Sequence, residues 1–243
     1  MEARKEKPEI KEIYLLDKPY GVTSFAVVAS LRRQLGVRKV GHAGTLDPLA
    51  TGLMILGVGP GTKKLTELIK LDKEYLAEIR IGEARTTDDM EGEITEKVAV
   101  PKLEDGEIVK ALTSLVGETE LTVSAFSAIK KDGVTYYQRA RRALAKGEML
   151  SEAELPKRLM RVEEAELMRV EYHQTEALMV VTIRFRVGSG TYVRSLAKEL
   201  GRRLGYPAVL QNLRRTQVGE FRIEEADKIA VRGERVIPRW LED

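Results

Sequence analysis

Val162-Glu-Glu-Ala-Glu-Leu-Met-Arg-Val-Glu-Tyr172 and Ala177-Leu-Met-Val-Val-Thr-Ile-Arg-Phe-Arg-Val187, joined through His173-Gln174-Thr175, read as two long strands and a turn. Segments separated by so few residues can pair only antiparallel, because parallel neighbours need a crossover of a dozen or more residues. Working outward, Tyr192 to Leu204 reads as a helix and Leu210 to Phe221 as a closing extended segment. Upstream, Ile13 to Leu16, Leu53 to Val58 and Tyr75 to Ile81 read as strands. Helices are expected from a Thr23 or Ser24 cap to Gly36, over Thr62 to Leu71, Leu103 to Val116 and Tyr136 to Lys146, with a capping-box pattern at Ser151 to Glu154. Long strands interrupted by helices, without regular βαβ alternation, predict an α+β fold on a mixed, mainly antiparallel sheet. A doubly wound nucleotide fold is the weaker reading. There is no repeat, low-complexity tract or flexible linker, so residues 1–243 are expected to form one domain with a charged tail over 1–10.

Composition narrows the function classes. With 243 residues and 43% apolar content, the chain can bury a substantial core. No apolar run reaches the length of a membrane span, and the charged start has no signal core behind it, so a cytoplasmic protein without membrane association is expected. Cysteine is absent and His42 and His173 are the two imidazoles, which argues against disulfides and a zinc site; a carboxylate-bound magnesium ion stays open. Charged residues at 33%, a lone asparagine (Asn212) and no cysteine resemble thermophile composition. Net charge is only +3, but basic residues cluster at Arg32-Arg33 to Lys39, Lys63-Lys64, Lys130-Lys131, Arg139 to Arg142, Arg202-Arg203 and Arg214-Arg215. Such clusters are ordinarily solvated helix faces, or together an electropositive groove.

Gly41-His42-Ala-Gly44-Thr45-Leu46-Asp47-Pro48-Leu49-Ala-Thr-Gly52 is the densest candidate site. Three glycines and a proline specify an unusual backbone path, and Pro48 restricts Asp47 to extended geometry. Alone, Asp47-Pro48 reads as a simple turn. Polar His42 and Thr45 beside the carboxylate, with Leu46, Leu49 and Leu53 tying the loop to an apolar interior, suit a preorganised site instead. The glycine-rich segment Gly57 to Lys64 fails the phosphate-loop spacing, because Thr62 stands where a glycine should precede the lysine. It is assigned to a strand-to-helix turn whose amides could meet an RNA phosphate. Gly188-Ser-Gly-Thr-Tyr192-Val-Arg194 lies where a strand enters a helix, placing Tyr192 and Arg194 in its first turns.

The ordered set of segments resembles the TruB family of tRNA pseudouridine synthases from Lys18 to about Phe221. Lys18-Pro-Tyr-Gly-Val-Thr-Ser24 is similar to the family's first motif and Gly41 to Gly52 to its catalytic loop. Lys73-Glu-Tyr75 is similar to its tyrosine segment, and Thr87-Asp-Asp89-Met-Glu-Gly92 to the turn that follows. Ser127-Ala-Ile-Lys130, Gly133, Tyr137, Ala140-Arg141, Gly190-Thr-Tyr-Val-Arg194 and Leu213-Arg-Arg-Thr216 continue the match. The chain departs from the pattern at Leu121-Thr-Val123-Ser124, where the family has a glutamine and paired prolines, and in a longer segment over about 143–157. It also ends about where the family's catalytic domain ends, which implies the absence of a separate C-terminal RNA-binding domain.

The resemblance implies isomerisation of uridine to pseudouridine at position 55 in the tRNA T loop, without a cofactor or metal. It makes Asp47 the reactive carboxylate, Arg194 its partner and Tyr75 the residue that stacks on the target base. His42 becomes the wedge that fills the space left by the extruded uridine. Tyr192 and Leu213 line the uracil pocket, while Lys18, Lys63, Lys130 and Arg141 are expected to contact RNA. The implied partner is the tRNA T stem-loop, with the protein a monomer needing no obligate protein partner. The rival readings are a noncatalytic RNA-binding module and a nucleotide-dependent phosphotransferase.

Overall fold

The computed structural model describes residues 10–232 and 235–238, with side chains described as far as Ile229, so most of the charged N-terminal tail lies outside the described residues. In chain order the elements begin β1 (Ile13–Lys18), α1 (Ser24–Leu35), β2 (Val40–His42), β3 (Thr51–Val58), α2 (Leu65–Leu68), β4 (Lys73–Ile81), β5 (Glu83–Arg85) and β6 (Ile94–Lys97). They continue with α3 (Asp105–Leu115), β7 (Gly117–Thr122), β8 (Lys130–Lys131), β9 (Val134–Thr135), α4 (Tyr136–Leu144), β10 (Lys157–His173) and β11 (Leu178–Val187). The last are α5 (Val193–Leu204), β12 (Ala208–Val218), β13 (Phe221–Arg222), β14 (Asp227–Arg232) and β15 (Arg235–Pro238). These residues fall into two compact units: Met1–Leu71 with Arg215–Asp243, and Asp72–Arg214 inserted between them. The second boundary, between Arg214 and Arg215, falls within β12.

In the first unit β1 pairs antiparallel with β3, Lys18 opposite Gly52, and parallel with β14. β2 extends antiparallel from β3, which sets His42 opposite Leu56. Ala43, Leu53, Ile55, Leu65 and Val218 form its core, covered by Ile13, Leu15, Leu68, Leu71 and Phe221. α1 starts at the Thr23 cap, whose hydroxyl accepts the Ala26 amide, and stops at Gly36 in the left-handed region, φ 64°. The expected helix over Thr62 to Leu71 is instead a 3-10 turn over Gly59–Lys63 followed by the short α2. The reason is close packing: a Cβ on Gly61 would meet the Glu12 carbonyl at 2.1 Å, and the chain leaves α2 through i+3 bonds at Lys70 and Leu71.

The second unit is built on the hairpin that the sequence announces. β10 and β11 pair antiparallel, β4 lies against β11 with Tyr75 opposite Phe185, and β7 lies against β10. The turn occupies residues 174–177, and Ala177 takes a left-handed φ of 48°, so β11 begins at Leu178. β10 begins at Lys157, earlier than the alternation suggests, because residues 157–161 pair with β7 before the pairing with β11 starts at Val162. Helices α3 and α5 pack together and on this sheet, burying Ile108, Leu112, Leu115, Leu196 and Leu200. The segment before β10 is largely exposed; its Ser151 to Glu154 capping box closes one 3-10 turn rather than a longer helix.

Candidate active site

The Asp47 loop spans the gap between β2 and β3, and its shape comes from its neighbours' backbone bonds. Ser24 Oγ accepts the Leu46 amide at 2.9 Å and donates to the Leu46 carbonyl at 2.8 Å. On the other side, the Pro48 carbonyl accepts the Gly21 amide at 2.9 Å and the Lys18 ammonium at 3.1 Å. Asp47 is therefore half-buried between two anchored residues, and its own carbonyl closes a turn onto the Ala50 amide at 3.1 Å. Gly52, at φ 102°, ends the loop where a Cβ would meet the Arg215 carbonyl at 2.2 Å, a position open only to glycine.

Lys18 is fully buried, and its ammonium also donates to the carbonyls of Pro19 at 3.0 Å and Val22 at 2.5 Å. It thus clamps the Asp47 loop, and its burial does not fit the RNA contact that was expected of it. Arg215 is corrected in the same way. It stands in a basic pair that reads as a surface cluster, yet it is 1% exposed and binds the Leu53 carbonyl through Nε (2.7 Å) and the Gly44 carbonyl through Nη2 (3.3 Å). His42 opens the loop. Burial first and the Arg215 charge second hold its imidazole below the usual pKa, with the Gly44 backbone opposing, so the ring is neutral near pH 7. Its Nδ1 is buried without a hydrogen-bond partner among the described residues. Lys63, at the end of the 3-10 turn after β3, is exposed.

Four expected residues sit in the second unit, on its strands and at the start of α5. Tyr75 is 7% exposed on the buried face of β4, in line with Lys73, Ala77 and Ile79. Tyr192, half-buried, is the residue before α5, and Leu213 is buried on β12. Arg194, in the first turn of α5, is 7% exposed. Its Nη1 donates to the Thr87 carbonyl at 3.1 Å, its Nη2 to the Phe126 carbonyl at 3.0 Å, and the Asp89 carboxylate lies 3.5 Å away. Ser124 bonds the Thr87 carbonyl at 3.2 Å and approaches Arg194 at 3.5 Å, so the segment that departs from the family pattern still shapes the arginine's seat.

Sequence reasoning missed Asp89, Thr87 and Ser124 as holders of this guanidinium. The available signal was the Thr87-Asp-Asp89 turn, but nothing in it names Arg194 as partner. Asp88, at φ 59°, lies beside them, and burial raises its carboxyl above the ordinary range despite the Ser124 hydrogen bond and the Lys198 and Arg194 charges. Lys130 and Arg141 belong to a separate exposed patch. There β8, β9 and α4 are tied by the Tyr136 amide to the Ile129 carbonyl and by Arg139 Nη2 to the Lys131 carbonyl. Arg141 stacks over Tyr137, with 5.9 Å to the ring centroid. Among the described residues no three His, Asp or Glu side chains are grouped so as to hold a metal ion, and no helix is long and apolar enough to cross a membrane.

Comparison with known proteins places these observations in a family. The model of the TruB family pseudouridylate synthase N-terminal domain matches residues 32–193. A tRNA pseudouridine synthase B of Leifsonia xyli subsp. xyli is 44% identical over 221 residues, covering 90% of this chain and 70% of that protein. That of Opitutus terrae is 41% identical over 220 residues, covering 90% and 86%. Among solved structures, a chain from a Cbf5-Nop10-Gar1 complex superposes with a TM-score of 0.63 at 26% identity, covering 86% of this chain and 49% of that one. With the α+β architecture, the anchored aspartate loop and this identity over most of its length, the chain belongs to the TruB family of pseudouridylate synthases.

Proposed function

We propose that this chain isomerises uridine to pseudouridine in tRNA, at position 55 in the T loop, with Asp47 as the reactive carboxylate. The observation that carries this is the anchoring of Asp47: the backbone of both flanking residues is fixed through hydrogen bonds, so the backbone that carries the carboxylate is held before substrate arrives. The reaction breaks the bond between uracil N1 and C1′, turns the detached base and joins C5 to C1′, the C5 proton being lost and N1 protonated. It is redox-neutral and consumes nothing, so no cofactor is required. Asp47 acts by attack on C1′, by attack on the base, or by assisting elimination.

Tyr75 stacks on the uracil and retains it while detached, drawing on a ring already held in the sheet. Arg194 supplies the cation the family resemblance assigns, on a guanidinium whose orientation is set by carbonyls. Tyr192 and Leu213 shape the uracil site. His42 enters the space vacated by the extruded nucleotide as a neutral ring. Exposed Lys63, Lys130 and Arg141 bind the stem backbone, which makes affinity salt-dependent. The protein works as a cytoplasmic monomer whose partner is the tRNA itself.

The test is incubation of a T-stem-loop RNA with wild type and with Asp47→Asn, followed by chemical mapping of pseudouridine. Conversion is expected with wild type alone. Equal conversion by both proteins removes Asp47 from the chemistry, and none by wild type removes the reaction.

A further inference from the structure

Phe25 and Tyr20 are the most exposed of the large hydrophobic side chains among the described residues, at 71% and 64%. Single apolar side chains at a surface are ordinary. Their placement is not. Gly21, next to Tyr20, donates its amide to the Pro48 carbonyl, and Ser24, next to Phe25, holds both backbone groups of Leu46. The two aromatics thus stand beside the two residues that bracket Asp47. Summing covalent and hydrogen-bond lengths puts their Cα atoms within about 12 Å of that of Asp47.

Folding does not account for either ring. The buried face of α1 is supplied by Val27, Val28 and Leu31, and Phe25 points away from it. Phe25, Ala29 and Arg33 recur at i, i+4 and i+8 and share the outer face, where Arg33 is exposed. Exposed flat rings near the Asp47 loop, with an exposed guanidinium two turns further along α1, match unpaired nucleobases, which offer π-faces to stack, and the phosphates that join them. A protein partner would be better served by a continuous apolar surface than by two rings followed by a charge.

We propose that Tyr20 and Phe25 form a stacking platform for unpaired bases flanking the target uridine, with Arg33 reaching the adjoining phosphate. The proposal rests on the uridine-isomerising reading. The platform contributes to substrate binding and not to the chemical step.

The test measures Kd for a T-stem-loop RNA across a salt series, with kcat at saturating RNA, for wild type, Tyr20→Ala, Phe25→Ala, Phe25→Leu and Arg33→Ala. Each alanine in place of an aromatic should weaken binding about fivefold or more, the range of lost base–aromatic stacking. The slope of log K on log salt and kcat should be unchanged, and Tm should move by no more than about 2 °C. Phe25→Leu should behave like Phe25→Ala, since it keeps an apolar group but has no π-face. Arg33→Ala should instead make the salt slope shallower by about one. The platform is overturned by unchanged Kd in a wild type that turns over, by full rescue with leucine, or by a fall in kcat at constant Kd. It is equally overturned if the variants change self-association in sedimentation instead of RNA binding. Failure of wild type to convert the RNA at all is a separate result, which removes the reaction and the platform with it.

Discussion

Replacing Lys18 with methionine separates a loop clamp from an RNA contact. Methionine keeps the length and apolar stem of the side chain and deletes the ammonium. In the protein that ammonium reaches the carbonyls of Pro19, Val22 and Pro48 at 3.0, 2.5 and 3.1 Å. The Pro48 carbonyl keeps the Gly21 amide at 2.9 Å, so the carbonyls of Pro19 and Val22 lose this donor. Leaving two part-buried carbonyls without it costs about 2–6 kcal/mol at 1–3 kcal/mol each, while the ammonium's desolvation penalty is relieved. A net loss of about 2–4 kcal/mol follows, or a Tm lower by about 4–16 °C in a chain of this size. Urea unfolding measures the first quantity and a thermal scan the second. Below the transition, kcat should fall, because the anchor on the C-terminal side of Asp47 is weakened, while the salt slope of RNA binding stays constant. An unchanged Tm combined with a salt slope shallower by about one would refute the clamp and restore Lys18 as a phosphate contact.

Other substitutions probe the remaining supports. Gly52→Ala should lose more than about 3 kcal/mol in urea denaturation, since its Cβ lands 2.2 Å from a backbone oxygen, whereas Gly21→Ala, with nothing within 4 Å, should lose only about 1–2 kcal/mol for its left-handed φ. Asp88→Asn suits the φ of 59° and removes a carboxyl whose pKa burial raises. The native carboxyl binds protons more tightly than the unfolded one, so wild-type stability should fall as pH rises from about 3.8 through the folded pKa, by about 1.4 kcal/mol per unit of displacement. The asparagine variant should lack that slope in urea midpoints taken from pH 4 to 7. Arg194→Lys should slow single-turnover conversion by roughly 10²–10³-fold with near-native RNA affinity, because an ammonium cannot span the Thr87 and Phe126 carbonyls; parallel losses of rate and affinity would make Arg194 a binding residue.

The hairpin over residues 157–187 was legible because its signal is local: extended segments, a short polar break and alternation on the strands. The start of β10 was not, since it depends on β7, a strand distant in sequence. The helix expected over Thr62 to Leu71 shortened to Leu65–Leu68 for a similar reason, as the periodicity of residues 62–71 carries no record of how closely Gly61 approaches Glu12. Asp47 and the glycines around it were legible because backbone freedom is written in residue type. Lys18 and Arg215 were misread because a charged side chain gives no sign in sequence that carbonyls will surround it. Both are long, and both cross from their own strand to the loop that carries Asp47.

That misreading exposes a rule for sites of this kind. A loop that departs from regular structure leaves carbonyls without ladder partners, and in a buried setting each needs a donor. Lys18, at the end of β1, serves the carbonyls of Pro19, Val22 and Pro48, and Arg215 serves that of Gly44 together with that of Leu53 on β3, each with several N–H groups on one terminus. Arg194 does the same for the carbonyls of Thr87 and Phe126. In all three places a cation replaces the missing ladder and fixes an irregular backbone. At Arg194 the Asp89 carboxylate at 3.5 Å adds a charge partner to the carbonyls and narrows the guanidinium's allowed positions. Buried cations flanking a glycine-bounded acidic loop are therefore better sought among holders of backbone than among contacts for RNA, and the exposed aromatics beside that loop become the more informative surface.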